Sequence, residues 1–560
     1  MTHPGEQFYP QGVRWDEPIE RGTLPDLLSE AAHGYGPRAA IEFRERAITY
    51  AELEEMVEVA AAAYLRAGYG RDTTVALFLG NTPDHPTNFF GALKAGARLV
   101  HLSPLDGEIA LTHKLKDSNA RVLVTSNLAA LLPTALKFLE KGLIEKLIVC
   151  EDDRWGKVGT PQVPLPDHPA IITYRTFVEG AVKPAQWPSI GIDDVALLQY
   201  TGGTTGLPKG AMLSHGNLTA AVSIYDIWGR PTREQRGDAV ERVICVLPLF
   251  HIFALSVVML TCIRRGNLIS LHQRFDVEAV MRDIEVKRAT YFPGVPTMWI
   301  AIAALPDLDK RDFSSLRNAG SGGAPLPMEV ARIFEDKVGK KLRSGWGMTE
   351  TCPAGTAHPE DGPDKPGSVG VMLPGIEMDV VSLDDPTKVL STGEVGEIRI
   401  RGPNVTRGYW NKPQETAEAF VGDRFLTGDI GYMDEDGYFY LVDRKKDMII
   451  SGGFNVYPQM IEQAIYTHPA VHEVIVIGVP DDYRGEAAKA FITLREGAKP
   501  FSLEELRTFL TGKLGKHELP AAVEFVSELP RTAVGKLSRH ELRRQQPALA
   551  KQQQVAGRHS

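Results

Sequence analysis

The residues from Tyr200 to Gly210, Y-T-G-G-T-T-G-L-P-K-G, combine the three properties that a phosphate-binding loop needs. Gly202, Gly203 and their neighbours let backbone N–H groups turn towards an anion. Thr201, Thr204 and Thr205 add hydroxyl donors, and Lys209 adds a positive charge. The order is not that of the common nucleotide loop, which places Gly directly before Lys-Ser/Thr. Here Pro208 precedes Lys209 and Gly210 follows it. A plain Gly/Thr linker seldom sets a lysine between Pro and Gly after two threonines.

Five further segments hold groups suited to the same chemistry: S-G-G-A-P at Ser321–Pro325, G-W-G-M-T-E-T at Gly345–Thr351, T-G-D-I-G at Thr427–Gly431, D-R-K-K-D at Asp443–Asp447 and R-T-A-V-G-K-L-S-R at Arg531–Arg539. Taken singly, each has a bland explanation. Gly428-Asp429 makes a turn, Glu350 serves a helix dipole, and Lys536 is one surface lysine among many. Together, and in this order, the six resemble the motifs of the acyl-adenylate-forming superfamily, whose members include fatty-acid–CoA ligases, coumarate–CoA ligases, luciferases and peptide-synthetase adenylation domains.

The resemblance implies a role for each position. Gly323, Ala324 and Pro325 resemble the adenine-binding segment. Gly345, Trp346, Gly347, Met348 and Thr349 resemble the segment that holds adenine and the acyl carbonyl, with Trp346 standing where many relatives have Tyr. Glu350 resembles the magnesium ligand, with Thr204 beside it, and Asp429 and Arg444 resemble the ribose site. Lys536 resembles the catalytic lysine that bridges carboxylate and α-phosphate. Lys446 matches the hinge about which a small domain rotates between two half-reactions. Gly452 and Gly453, in Ser451–Pro458, resemble a segment that approaches the acyl carbonyl and lines the pantetheine tunnel. His251, in P-L-F-H-I-F-A, resembles a gate between acyl pocket and thiol tunnel, although a lone His near an apolar run is usually a core residue. ATP, Mg2+ and coenzyme A are the implied cofactors.

The implied activity is that of an ATP-dependent acid–CoA ligase. A free carboxylate is a poor electrophile, and joining it to AMP supplies a good leaving group. Bringing a carboxylate to a triphosphate requires cations to neutralise like charges, which lysines and magnesium provide. In acetate-activating relatives a Trp at the position of Gly347 closes the acyl pocket. Gly347 is therefore expected to leave it open, with Phe250, Phe253, Val295, Pro296 and Met298 as apolar lining. That favours a medium- or long-chain acid. A dicarboxylate is the other option, and requires a cation or donors at the far end of the pocket. Two other activities compete: a stand-alone enzyme that loads a carrier protein, and a non-catalytic nucleotide-binding regulator on the same fold. Because the sequence ends at Ser560 in a Gln-rich stretch, no carrier domain is expected on the chain.

These motifs need a frame. Short apolar strands at Thr73–Leu79, Arg98–Leu102, Arg121–Thr125, Lys146–Cys150 and Arg242–Leu247 alternate with helical stretches, a layered α/β pattern. Thr49–Glu52 (T-Y-A-E) predicts a capped helix start, and a helix is expected near Asn88–Ala97. From about residue 370 to 442 the texture is β-rich, with a hairpin around Asp434–Gly437. Beyond it the sequence predicts a small α+β unit: a helix at Pro458–Tyr466, strands at Val471–Gly478 and Ala488–Leu494, and a helix at Ser502–Leu514. The expected fold is thus an α/β multidomain protein, with a large domain over 1–442, a hinge over 443–446 and a mobile lid domain over 447–560.

Composition bounds the rest. The chain has 560 residues, with 43% hydrophobic and 24% charged, which is ordinary for a globular protein. A net charge of −9 offers no basic surface to nucleic acid. From Asp447 onward there are 14 basic and 13 acidic residues, against 48 and 58 before it, so the lid is the slightly basic part. Cys150, Cys245, Cys262 and Cys352 have neither metal nor disulfide-framework spacing, which fits a cytoplasmic enzyme. The N-terminus carries no signal-like apolar run. The run Ile252–Ile263 is too short for an integral membrane segment and is expected as a buried helix ending at Arg264 and Arg265. The expected partner is a small-molecule carboxylic acid, and a homodimer is compatible with the resemblance.

Overall fold

The computed structural model describes residues 3–156, 160–201, 207–237, 239–324, 326–363, 365–481, 484–532 and 535–544. Two seven-stranded sheets form the body. In the first, strands at Ile171–Thr173, Lys146–Cys150, Ala120–Ser126, Thr74–Leu77, Arg98–His101 and Val195–Thr201 run parallel, and Lys209–Ser214 closes one edge antiparallel. The second repeats the plan: Leu342–Ser344, Asn318–Ser321, Tyr291–Gly294, Arg242–Cys245, Leu268–Leu271 and Ala39–Phe43 run parallel, with Arg46–Thr49 antiparallel at the edge. Parallel strands covered on both faces are apolar throughout, and Thr74–Leu77 and Leu268–Leu271 are buried at every position. The helix Asp84–Lys94 is likewise buried at every position. The helix Tyr50–Arg66 starts with the capping box read from the sequence: Thr49 Oγ1 accepts from Glu52 N, and Glu52 accepts from Thr49 N at 2.8 Å.

A third sheet, antiparallel, carries the strands Arg424–Met433 and Tyr438–Arg444. They are joined by a turn in which Gly437 N donates to Asp434 O at 3.0 Å. The fourth sheet belongs to the C-terminal part, where Val471–Asp481 and Gly485–Leu494 pair antiparallel. The helix before it spans Pro458–Tyr466. The next helix, Leu503–Leu510, stops four residues short of the expected Leu514, because Thr511 is extended and Gly512 takes φ 81°.

The apolar run after His251 is helical and mostly buried, but its winding is unusual. Phe253–Leu260 forms a π-helix that passes into an α-helix at Thr261–Arg265. Thr261 Oγ1 donates back five residues to Ser256 O at 2.9 Å. π-Turns of this kind recur at functional sites, and this one lines the main cavity along one face. Among the described residues, no helix is long and apolar enough to cross a membrane.

Candidate active site

A cavity of about 3360 Å³ opens between the large domain and the C-terminal part. One side of it is a hairpin in which Tyr200 pairs with Gly210 and Thr201 with Lys209. The loop tip lies outside the described residues, and with it Gly202, Gly203, Thr204 and Thr205; Pro325 also lies outside them. The Tyr200 hydroxyl donates to Asp117 Oδ2 at 2.6 Å, away from the loop. Gly210 packs closely here, since a Cβ there would lie 3.1 Å from the Tyr200 ring.

Lys209 leads to a residue that the motifs did not single out. Its Nζ stands 4.9 Å from the centre of the Tyr409 ring, and the Tyr409 hydroxyl donates to Glu350 Oε1 at 2.9 Å. The segment around Tyr409 knits the phosphate hairpin to Glu350. Met212 N donates to Gly408 O at 2.9 Å, Trp410 N to Gly210 O at 2.8 Å, and Thr406 N to Glu350 O at 2.7 Å. Glu350 is 4% exposed, and burial pushes its carboxyl pKa upward. A cation beside it would offset that cost.

Another side is built on facing strands. Asp429 and Arg444 lie opposite one another in register, and Arg444 Nε contacts Asp429 Oδ1 at 2.9 Å. Trp346 Nε1 donates to Asp429 Oδ2 at 2.8 Å. One face of the indole is packed on Gly355, where a Cβ would lie 2.4 Å from the ring. Gly345 and Ala324 line the same cavity, as do Met348 and Thr349.

Lys536 enters this cavity from the C-terminal part. Its tip lies where a side chain on Gly323 would stand: a Cβ at that glycine, itself at φ 79°, would be 2.7 Å from Lys536 Nζ. The lysine loop is held by Thr297 Oγ1, which donates to Gly535 O at 3.1 Å, and by Thr532 N, which donates to Lys536 O at 2.6 Å. Burial lowers the Lys536 pKa to about 8; Arg444 adds to the effect and Asp429 opposes it. His251 lines the cavity nearby, its pKa lowered to about 3 by burial and then by the Lys536 charge. It is a neutral imidazole at ordinary pH.

The Asp443–Asp447 segment is clamped by a residue three positions beyond Lys536. Arg539 bonds Glu462 Oε2 at 2.6 Å and Asp443 Oδ1 at 3.2 Å. It also approaches Asp447 at 3.6 Å. Asp443 further accepts from Gln459 N at 2.7 Å. Lys446 lies among these groups, its pKa lowered by burial and by Arg444.

Gly452 and Gly453 form a hairpin turn at φ 59° and 83° between Ile449–Ser451 and Phe454–Val456. Two expectations about the surroundings change. Phe250, Phe253 and Pro296 line the cavity, whereas Val295 sits behind Gly323 and Met298 packs into the core. At Gly347 a Cβ would fall 1.3 Å from the Pro353 carbonyl oxygen. A side chain there collides with backbone instead of filling the acyl pocket, so Gly347 serves a close chain crossing. Substitution to Trp would displace the Pro353 segment before it shortened any channel.

Comparison with known proteins bears on this arrangement. Residues 28–410 match the family model described as AMP-binding enzyme, and residues 460–536 match the AMP-binding enzyme C-terminal domain. The chain belongs to the AMP-binding enzyme family. This is the acyl-adenylate-forming superfamily, and the relatives place the chain on its fatty-acid–CoA ligase branch. A long-chain-fatty-acid–CoA ligase of Bacillus subtilis (strain 168) is 36% identical over 549 residues, covering 95% of this chain and 96% of that protein. A feruloyl-CoA synthase of an Amycolatopsis species is 37% identical, covering 94% and 98%. Among solved structures of the same AMP-binding fold, ATP-bound MatB from Rhodopseudomonas palustris superposes with a TM-score of 0.81 at 29% identity, covering 93% of this chain and 98% of that one.

Proposed function

We propose that this chain activates medium- to long-chain carboxylic acids in two steps around the Lys536 site. It is an AMP-forming acid–CoA ligase. In the first step a carboxylate oxygen attacks the α-phosphorus of ATP and pyrophosphate leaves, giving an acyl-adenylate. In the second the thiol of coenzyme A attacks the acyl carbonyl and AMP leaves, giving the thioester. The observation that carries the reading is Lys536 seated against Gly323 within one cavity that also holds Asp429, Arg444, Trp346 and Glu350. The near-full-length relatives are named for CoA, which favours CoA over a carrier protein as acceptor.

The roles follow from position. Arg444 and Trp346 hold Asp429 so that its carboxylate faces the ribose hydroxyls. The phosphate hairpin presents Lys209 and its threonines to the phosphates. Lys536, an ammonium at neutral pH, stabilises the charge that develops between carboxylate and α-phosphate. The Glu350 carboxylate is a hard oxygen donor whose buried charge calls for a cation. It fits magnesium, which takes one or two carboxylates and fills its shell with phosphate and water. With Thr204, Glu350 would hold Mg2+, which supplies neutralisation of phosphate charge when bound. His251 walls the passage between acyl and thiol channels. The lid over 447–560 turns about the 443–446 hinge after adenylation, withdrawing Lys536 and bringing Gly452 and Gly453 towards the carbonyl.

The test is CoA-dependent AMP release from ATP and magnesium across acids of graded length. A maximum in the medium-to-long range supports the reading. Activity confined to acetate-sized acids, or transfer to a carrier thiol but not to CoA, would overturn it.

A further inference from the structure

The loop that carries Lys536 is tied down on both sides, and the two ties differ in kind. Before the lysine, Arg531 Nη2 bonds both carboxylate oxygens of Glu473, at 2.8 and 2.7 Å. Glu473 sits on the strand Val471–Asp481. That tie lies wholly within the C-terminal part and moves with it. After the lysine, Arg539 splits its fork. Its Nε and Nη2 bond Glu462 at 3.1 and 2.6 Å, on the helix Pro458–Tyr466. Its Nη1 bonds Asp443 Oδ1 at 3.2 Å. Asp443 belongs to the strand Tyr438–Arg444 of the third sheet, where it pairs with Ile430. One guanidinium therefore holds partners on opposite sides of the pivot proposed at Lys446.

Asp443 depends on that guanidinium. Its side chain is fully buried, and Arg539 is its one ion partner among the described residues. Its other contacts are backbone donors: Arg444 N to Oδ1 at 2.7 Å and Gln459 N to Oδ2 at 2.7 Å. Burial pushes the Asp443 pKa up, and Arg539 is the charge that most opposes the rise. Removing the partner of a buried charge is strongly destabilising. Glu462 keeps Arg539 whichever way the C-terminal part is turned, because both belong to it. Asp443 does not. A swing about Lys446 separates Asp443 from Arg539 and from Gln459, while Arg531–Glu473 and Arg539–Glu462 travel unbroken. Asp447 also travels with the C-terminal part, and it is bonded to Arg543 at 2.8 Å. The large domain's other hydrogen bond to the lysine loop, from Thr297 Oγ1 to Gly535 O, is between neutral groups. A charge-assisted bond is the stronger kind.

We infer that Asp443 and Arg539 form a latch that keeps the Lys536 loop in the cavity for adenylation and must open before thioester formation. Both are positioning residues: they act through Lys536 and take no part in making or breaking bonds. The inference rests on the acid–CoA ligase reading and its lid rotation, and assigns the balance between the two half-reactions to one ion pair.

The experiment measures the half-reactions separately in the full chain. Pyrophosphate release from ATP, magnesium and acid without coenzyme A reports the first; thioester formation from coenzyme A and supplied acyl-adenylate reports the second. The variants are Asp443→Asn, Arg539→Gln and the double. Asp443→Asn decides, because Asn keeps an acceptor oxygen and leaves the Arg539–Glu462 tie in place. It should slow adenylation by about 10–100-fold, the worth of a bond to a charged group, and leave thioester formation unchanged or faster. Arg539→Gln should slow adenylation at least as much, and the double variant no more than Arg539→Gln alone. Equal loss of both half-reactions in Asp443→Asn overturns the latch, since the pair would then only support the fold. Unchanged adenylation in that variant overturns it too, as do losses that multiply in the double variant. A wild type that makes no adenylate with any acid would overturn the ligase reading instead.

Discussion

On one side of the cavity, Trp346 and Arg444 both bind Asp429, and Tyr409 binds Glu350. Along the wall from Arg317 to Ala324, the Phe253 and Tyr291 rings pack against Gly322 and Gly320, and Arg317 is exposed to solvent. The first region is preorganised: its dipoles are fixed before substrate arrives, and that is what lowers a charged transition state. The second is held by packing and is open to solvent at its far end. Substitutions in the two regions should give different kinetic signatures.

The largest effect is expected from Lys536→Ala, which should slow adenylate formation by about 10²–10³-fold. Thioester formation from supplied acyl-adenylate should be largely spared. Equal loss of both half-reactions would mean that the lysine serves the whole cavity and not the first step alone. The same residue sets a pH limit. Its pKa is lowered to about 8, so the ammonium form is present below that value and is lost as pH rises through it. In adenylation assays, kcat/KM, which reports the free enzyme, should be level below pH about 7 and decline above about 8. His251, neutral above its pKa of about 3, adds no limb in that window. A flat alkaline profile would contradict the buried position of Lys536.

Asp429→Asn removes a charge shared by Trp346 and Arg444. Loss of a charge-assisted hydrogen bond is worth about 10–100-fold, and it should appear as a raised KM for ATP with the acid's KM little changed. A rise in the acid's KM instead would place Asp429 at the acyl end and erase the division drawn above. Tyr409→Phe should be smallest, a loss of a few-fold, because it removes one neutral donor from Glu350. The activity should be recovered at higher magnesium concentration; no change in magnesium dependence would detach Tyr409 and Glu350 from the metal.

Much of the frame was legible because short-range rules decide it. Thr49 and Glu52 announce a helix start whatever lies around them, Pro458 opens a helix, and Asp434–Gly437 is a turn by composition. The motif residues were legible as types in an order. What they touch was not. Tyr409 lies 59 residues from Glu350, and no local pattern joins them. Arg539 reaches back 96 residues to Asp443. The π winding of Phe253–Leu260 could not be read from a run that is apolar on every side and carries no period. The direction of a Gly347 side chain depends on where Pro353 crosses. Local propensity fixed the elements, and long-range packing fixed the partners.

The central claim is that one cavity first makes an adenylate and then transfers the acyl group to a thiol. The direct measurement is a rapid-quench experiment with ATP, magnesium and a good acid but no coenzyme A. About one equivalent of enzyme-bound acyl-adenylate and of pyrophosphate per site is expected, followed on addition of coenzyme A by release of AMP and thioester in equal amounts. Pyrophosphate that appears only after coenzyme A is added, or ADP and phosphate in place of AMP and pyrophosphate, would contradict it.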